Sequence, residues 1–378
     1  MMNRYLNYLK SREENILQMI QQLVEFESPT MDKSRNDRLA NIVQDIFVKF
    51  TGGTAEIIEN KNLGNHVLGQ VGTGDDQILI VGHFDTVHPV GTLKENPFKI
   101  DNGLAFGPGI YDMKTGIVQA IYALSTLKEM NVLDHKKVVC VFNADEELGS
   151  KDSMDLIIQE AKKSKMAFVL EPSFGKEGAI KTVRKGVGSY KITVNGQSAH
   201  AGNNPEDGVN AIEEMSYQVL KLQKLNNYEK GISVNCGIFN GGTAKNTVPD
   251  FAELVVDMRA PSIKDSERLH DYIVNLEPKN PHVTLEVEGH FTRPPMEKSP
   301  ESGELYQMAR DLMFKNCHLP LPEAHVGGAS DGNNIAAYVP TLDGLGAVGS
   351  GAHSLDEYIF IEHLVPRTAL LAALIEQC

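Results

Sequence analysis

Short apolar runs, several of them closed by an acid or a histidine and the later ones set apart by helix-length stretches, constrain this chain more than any other feature. In the first half the strand-like segments are TAEIIE, NHVLGQV, QILIVGH, KKVVCVFNA and MAFVLE, with helical stretches near 113–130 and 148–162 between the last three. Strands separated by helices of that length require crossovers, and crossovers build a largely parallel sheet with helices on both faces. The first half is therefore expected to be α/β.

From about residue 182 the pattern changes to alternating strands, VGSYKITVNG, GISVNCGIF, FAELVVDMRA and HVTLEVEGH, interleaved with helical stretches near 206–225 and 262–276. Few strands and two helices predict a small α+β layer with one sheet face open. After about residue 292 helices and apolar runs return, and the chain closes with IEHLVPRTALLAALIEQ. The simplest organisation is a catalytic domain in two parts, 1–181 and 292–378, interrupted by an inserted lid or dimerisation domain at 182–291. A chain of 378 residues accommodates that division.

Charge narrows the partners. With 36 basic against 50 acidic residues, the formal charge of −14 repels phosphate backbones and anionic lipid surfaces, so neither nucleic acid nor membrane is expected as a partner. No apolar run approaches the roughly 20 residues that span a bilayer. The opening MMNRYLNYLKSREENILQMIQQLVEF mixes charge with helical spacing and reads as a first folded helix rather than a signal peptide. Cys140, Cys236, Cys317 and Cys378 form no close pair, which predicts reduced thiols and a cytoplasmic protein.

The chemistry concentrates at the strand ends. His83 follows ILIVG, with Asp85 two residues on and placed to fix the second ring nitrogen of a metal-binding imidazole. Alone, such a histidine is more often a hydrogen-bonded structural residue than a ligand. Asp112, behind the turn GPGIY, is either a helix N-cap or a carboxylate able to bridge two cations. Asp145, Glu146 and Glu147 end a third apolar strand; adjacent carboxylates repel unless a cation neutralises them or they face solvent. Glu171 ends a fourth run, and His353 sits in the glycine-rich GSGAHSLDEYI. Five candidate ligands, His83, Asp112, Glu147, Glu171 and His353, thus fall where this topology gathers groups at one sheet edge. Two imidazoles and three carboxylates suit zinc, cobalt or manganese, and the lack of cysteine argues against a structural zinc.

The motifs HFDTVHPVGT, GPGIYDMKTG, ADEELGS, LEPS, GQSAHAG, VDMRAP, GGASDGNN and GAHSLDEY, in that order, resemble those of the co-catalytic zinc family of glutamate carboxypeptidase, acetylornithine deacetylase and succinyl-diaminopimelate desuccinylase. The glutamate carboxypeptidase branch is the most similar. The resemblance implies a zinc-exopeptidase-like fold and two zinc ions, one on His83 and Glu171, the other on Glu147 and His353, with Asp112 bridging. It gives Glu146 the role of general base toward a water shared by the ions, and Asp85 that of orienting His83. It also implies a cis bond between Asp112 and Met113, and a homodimer through the inserted domain, in which His200 steadies the oxyanion across the subunit boundary.

The substrate is less constrained. Arg259 and Asn246 fall where the family holds a substrate α-carboxylate, and an arginine suits that group through paired hydrogen bonds. The competing reading of Arg259 is an ion pair with Asp257 or Glu253. The expected activity is hydrolysis of an amide next to a C-terminal amino acid in a peptide or N-acyl conjugate. An N-acyl-amino-acid deacylase and a di- or tripeptide aminopeptidase are the alternatives within the family; a non-catalytic binding module would be expected to have lost the base or a ligand. His88 reads as a rim residue.

Overall fold

The computed structural model describes residues 2–378, which form two compact units. The first takes the chain up to Thr182 together with Lys298–His325 and Ser330–Cys378; the second is Val183–Glu297 with Val326–Ala329.

In the first unit the opening segment is two helices, α1 (Met2–Lys10) and α2 (Glu13–Val24), where spacing predicts one. The chain leaves helical geometry at Arg12 (φ −122°, ψ 6°), whose guanidinium donates to the Tyr8 carbonyl near the end of α1. Helix α3 (Lys33–Thr51) starts at Asp32, whose carboxylate accepts from the Arg35 amide, and stops at Gly52 in the left-handed region. Next come strands β1 (Thr54–Ile58), β2 (His66–Val71) and β3 (Gln77–His83), helix α4 (Thr115–Glu129), strand β4 (Lys137–Asn143), helix α5 (Met154–Lys162) and strand β5 (Ser164–Val169).

The sheet order is β1-β2-β4-β3-β5, with the two-residue strand Thr341–Leu342 beyond β5. Strand β3 runs parallel to β4 and β5, and β5 to Thr341–Leu342, while β1 and β2 form an antiparallel edge. Both faces of the middle strands are buried, as their continuous apolar runs require. Ile78 and Ile80 of β3 join the larger core with Ile117 and Ile121 of α4; Leu79 and Val81 join a second core with Ile157 and Ala161 of α5. Helix α4 approaches the exit of β5 so closely that a Cβ on Gly116 would lie 2.4 Å from the Leu170 carbonyl oxygen. His83 pairs opposite Asn143, and Val81 opposite Val169, so the chain leaves β3, β4 and β5 at one sheet edge.

A separate small sheet has the order Gly349–Ser350, Tyr358–Phe360, Leu104–Phe106, Lys99–Asp101. Pairing of Tyr358 with Phe106 brings loop 351–357 beside the turn that follows Phe106. Strands of two or three residues are too short to show a period in sequence.

The second unit is an antiparallel sheet of β6 (Gly186–Asn195), β7 (Ser233–Gly241), β8 (Phe251–Ala260) and β9 (Thr284–Arg293), in the order β7-β8-β6-β9, with helices α6 (Ala211–Gln223) and α7 (Ile263–Val274). Tyr190, Ile192, Val194, Leu254, Val256 and Met258 pack with Met215 and Leu269 of the helices, and the intervening residues, Asp257 and Arg259 among them, occupy the other face. The unit extends past residue 291 because Arg184 and Met296 exchange two backbone hydrogen bonds of 3.0 Å, and it includes 326–329 because the Lys185 amide donates to Val326. No helix among the described residues is long and apolar enough to cross a membrane.

One buried cation organises the return of the chain to the first unit. Arg367, in the closing helix Leu364–Gln377, is 2% exposed and donates to the carbonyls of Gly346 (3.2 Å), Gly178 (3.0 Å) and Gly344. Burial lowers its pKa to about 10, which leaves it charged at neutral pH. Arg367→Met keeps the volume and strands three carbonyls; we expect a loss of about 3 kcal/mol in urea unfolding, with Arg367→Lys recovering only part.

Candidate metal centre

Three parallel strands and two turns deliver the candidate ligands. His83 is the last residue of β3, Glu146 and Glu147 stand on the short turn Glu146–Leu148 after β4, and Glu171 follows β5. Asp112 lies in the bend before α4, where the Asp112–Met113 peptide is cis. His353 takes left-handed backbone (φ 64°) in loop 351–357.

These residues, far apart along the chain, converge. Asp112 faces both imidazoles, with Oδ1 3.2 Å from His83 Nε2 and Oδ2 3.4 Å from His353 Nε2. Glu171 Oε1 is 3.6 Å from His83 Nε2, and Glu147 Oε2 is 3.2 Å from His353 Nε2. Ligand atoms of His83, Asp112 and Glu147 lie within 4.8 Å of one another, as do those of His83, Glu146 and Glu171. Each histidine thus has its own glutamate, and one carboxylate spans the two groups. That donor set fits a pair of divalent cations: hard carboxylate oxygens and imidazole nitrogens, and no thiolate.

Asp85 is fully buried and serves several groups. His83 Nδ1 is 3.1 Å from the Asp85 carbonyl and 3.3 Å from its Oδ1, so the backbone oxygen is the nearer partner of the imidazole. The same carboxylate accepts from Thr30 Oγ1 at 2.8 Å and from the amides of Glu146 and Glu147 at 3.3 Å each. It therefore ties the His83 ring to the turn that carries both glutamates. With Nδ1 engaged, Nε2 is the nitrogen presented to Asp112 and Glu171.

Electrostatics follow from the crowding. Burial alone would lower the His83 pKa, but the Asp112 and Asp85 carboxylates hold it well above the ordinary imidazole value. Hydrogen bonds to Asp112 and then Glu147 lift His353 to about 10. Against a burial that would raise it, hydrogen bonds to His353 and His83 keep the Asp112 carboxyl far below the usual carboxylate range.

The remaining sequence candidates lie in the second unit. The His200 ring accepts the Gly202 and Asn203 amides on Nδ1 at 3.1 and 3.0 Å, which leaves its proton on an outward Nε2. The loop of Asn246 pairs with it through the Ala201 amide and Asn246 carbonyl at 3.0 Å. Arg259 is held by Asp257 in two parallel bonds of 2.8 and 2.9 Å, the ion pair that competes with a substrate-binding role.

Sequence reasoning misses several residues that support this centre. His88 is no rim residue: it is buried and lies 2.9 Å from Glu357 Oε2. Glu357, Thr30 and Asp331 carry no role in the sequence reading either. Asp331 accepts from Asn143 (2.8 Å) and Ser150, on either side of the turn that carries Glu146 and Glu147. Glu357 and Asp331 stand inside the motifs GAHSLDEY and GGASDGNN, but no local signal separates them from solvent-facing acids.

A parallel-rich sheet whose carboxyl edge gathers two imidazoles and four carboxylates describes a metal-dependent hydrolase. Residues 79–377 match peptidase family M20/M25/M40, and the chain belongs to that family. It is therefore an enzyme, a metallopeptidase or amidohydrolase. It is 29% identical over 369 residues to carboxypeptidase G2 of Pseudomonas sp. (strain RS-16), covering 95% of this chain and 88% of that one. It is 27% identical over 332 residues to acetylornithine deacetylase of Proteus mirabilis (strain HI4320), covering 82% of each. Its fold matches the crystal structure of aminopeptidase PepT from Bacillus cereus ATCC 10987 with a TM-score of 0.75 at 23% identity, over 97% of this chain and 98% of that one.

Metal uptake should displace the protons on His83 and His353. Because a raised imidazole pKa means a proton must leave before the nitrogen can ligate, zinc affinity is expected to rise with pH between about 6 and 9. Calorimetric titration at pH 7 in buffers of different ionisation enthalpy should report release of about two protons on full loading. Release of none would show that the imidazoles are not ligands.

Proposed function

We propose that this chain is a dinuclear zinc amidohydrolase that releases a C-terminal amino acid from a peptide or N-acyl conjugate, in the manner of a glutamate carboxypeptidase. The observation that carries the reading is Asp112, whose two oxygens each face a different histidine, each histidine with a glutamate of its own. His83 and Glu171 would hold one ion, Glu147 and His353 the other, with Asp112 shared; cobalt or manganese suits the same donors.

When bound, the ions polarise the scissile carbonyl and acidify a water at neutral pH. Glu146, adjacent to Glu147 on a tight turn, accepts the proton of the attacking water and returns it to the departing amine nitrogen. Asp85 keeps both parties in place by holding the His83 ring and the Glu146 amide together. His200 is the donor to the developing oxyanion: its Nδ1 is occupied by two amides, so its Nε2 proton is already aimed outward.

Arg259 and Asn246 are the proposed grip on the substrate carboxylate, supported by the match to a carboxypeptidase over nearly the whole chain. The Asp257 pair favours a second reading, a deacylase or aminopeptidase, because a guanidinium already held by a carboxylate must exchange partners to bind another. Kinetics on matched N-acyl-glutamate, N-acetyl amino acid and free dipeptide panels separate these, and a clear preference for unblocked N-termini would remove the carboxypeptidase reading.

A homodimer is proposed through the second unit. Strand β7 is an edge strand with a register shift between Cys236 and Ile238, and Ile238, 55% exposed, and Phe239, 42% exposed, give it apolar surface that a partner would cover. Ile238→Lys is expected to yield monomers in sedimentation velocity; a wild-type chain that is itself monomeric and fully active would remove this element.

Glu146→Gln is expected to keep its zinc content and lose about 10²–10⁴-fold in kcat. Undiminished turnover would refute the general-base role.

A further inference from the structure

Glu357 is the least exposed carboxylate beside the Asp112 turn that the proposed mechanism leaves unused. At 1% exposure it accepts four hydrogen bonds. Oε1 takes the amides of Tyr111 (2.7 Å) and Asp112 (2.8 Å); Oε2 takes the amide of Gly109 (2.8 Å) and lies 2.9 Å from His88 Nε2. An ionised carboxylate offers about four acceptor positions, and here each is used.

The donors come from separate pieces of chain. Gly109, Tyr111 and Asp112 form the turn that carries the shared ligand, with Gly109 in left-handed backbone (φ 73°) so that successive amides converge on one acceptor. His88 belongs to the loop that follows His83. Glu357 itself lies at the foot of the loop that carries His353. One side chain therefore ties together the segments of His83, Asp112 and His353.

We propose that Glu357, partnered by His88, is a positioning residue that sets the main chain of Asp112 so that its two oxygens serve both histidines at once. This rests on the dinuclear reading of the site. Its distinguishing consequence is that loss of Glu357 acts on how the two ions share Asp112 rather than on whether the unit folds. A merely structural role would lower thermal stability and leave the ratio of the two zinc affinities unchanged.

The test is zinc titration of the metal-free full-length chain against a chromophoric chelator, on the wild type, Glu357→Gln, His88→Gln and His88→Phe. Gln at 357 keeps the shape but replaces an acceptor oxygen by a donor. The wild type is expected to take two ions; Glu357→Gln is expected to bind the weaker one about 10–100-fold less well, with kcat reduced and KM within about threefold. In the metal-free protein, amide exchange at 109–112 should quicken in the same variant. His88→Gln, whose amide nitrogen can still donate to Oε2, should stay near the wild type, while His88→Phe should weaken the second ion.

If Glu357→Gln is folded and binds both ions as the wild type does, the inference is overturned. Should Glu357→Gln not fold, the His88 pair decides, and equal zinc binding by His88→Phe and His88→Gln overturns it. A wild type that takes up no pair of zinc ions overturns the dinuclear reading itself.

Discussion

Carboxylates crowded at the end of a buried sheet are the constraint on which the rest of this structure depends. Glu146, Glu147, Glu171 and Asp112 stand around two imidazoles at the strand ends, and like charges so placed need opposite charge between them. The surrounding carboxylates favour the charged form of both imidazoles, and divalent ions would supply positive charge in a loaded chain. A site arranged this way is a receptor for positive charge before it is anything else.

Holding such a cluster is a problem of rigidity. The backbone after a strand end has no ladder to keep it in place, so several ligand-bearing segments are pinned by buried polar side chains. Asp85 gathers the His83 ring, Thr30 and the amides of Glu146 and Glu147. Asp331 ties Ser150 to Asn143 on the two sides of the glutamate turn. Arg367 closes the turns at Gly344 and Gly346, and the Gly346 amide in turn donates to the Glu171 carbonyl. Glu357 does the same for the Asp112 turn. The hydrogen-bonding capacity of these anchors is largely met by backbone and neighbouring polar groups, the condition under which a buried polar side chain is tolerable.

The second unit is built on the opposite plan. Its sheet is covered by helices on one face, and the other carries polar and charged residues, Asp257 and Arg259 in one i, i+2 pair. The bidentate grip of Asp257 keeps the guanidinium oriented, and it also leaves that group engaged. The proposed grip of Arg259 on a substrate carboxylate would therefore work by partner exchange at this ion pair.

Much of this is legible in the sequence because the period of a buried strand and the chemistry of its final residue are local properties. QILIVGH announces a two-face-buried strand ending in an imidazole, KKVVCVFNADEE one ending in carboxylates, and a parallel crossover topology obliges such ends to share an edge. The strand-helix alternation and the candidates His83, Glu147 and Glu171 follow from that. What the sequence does not show is pairing at long range: the break at Arg12, the two-residue strands that bring loop 351–357 to the Asp112 turn, the choice of Asp257 over Glu253 for Arg259, and the burial of His88 against Glu357. An acid in a glycine loop looks the same whether it meets solvent, a cation or four hydrogen-bond donors. Residue type and spacing determined which groups are available to this protein; only tertiary packing decided what each one faces, because hydrogen-bond partners are set by the meeting of segments that are distant along the chain.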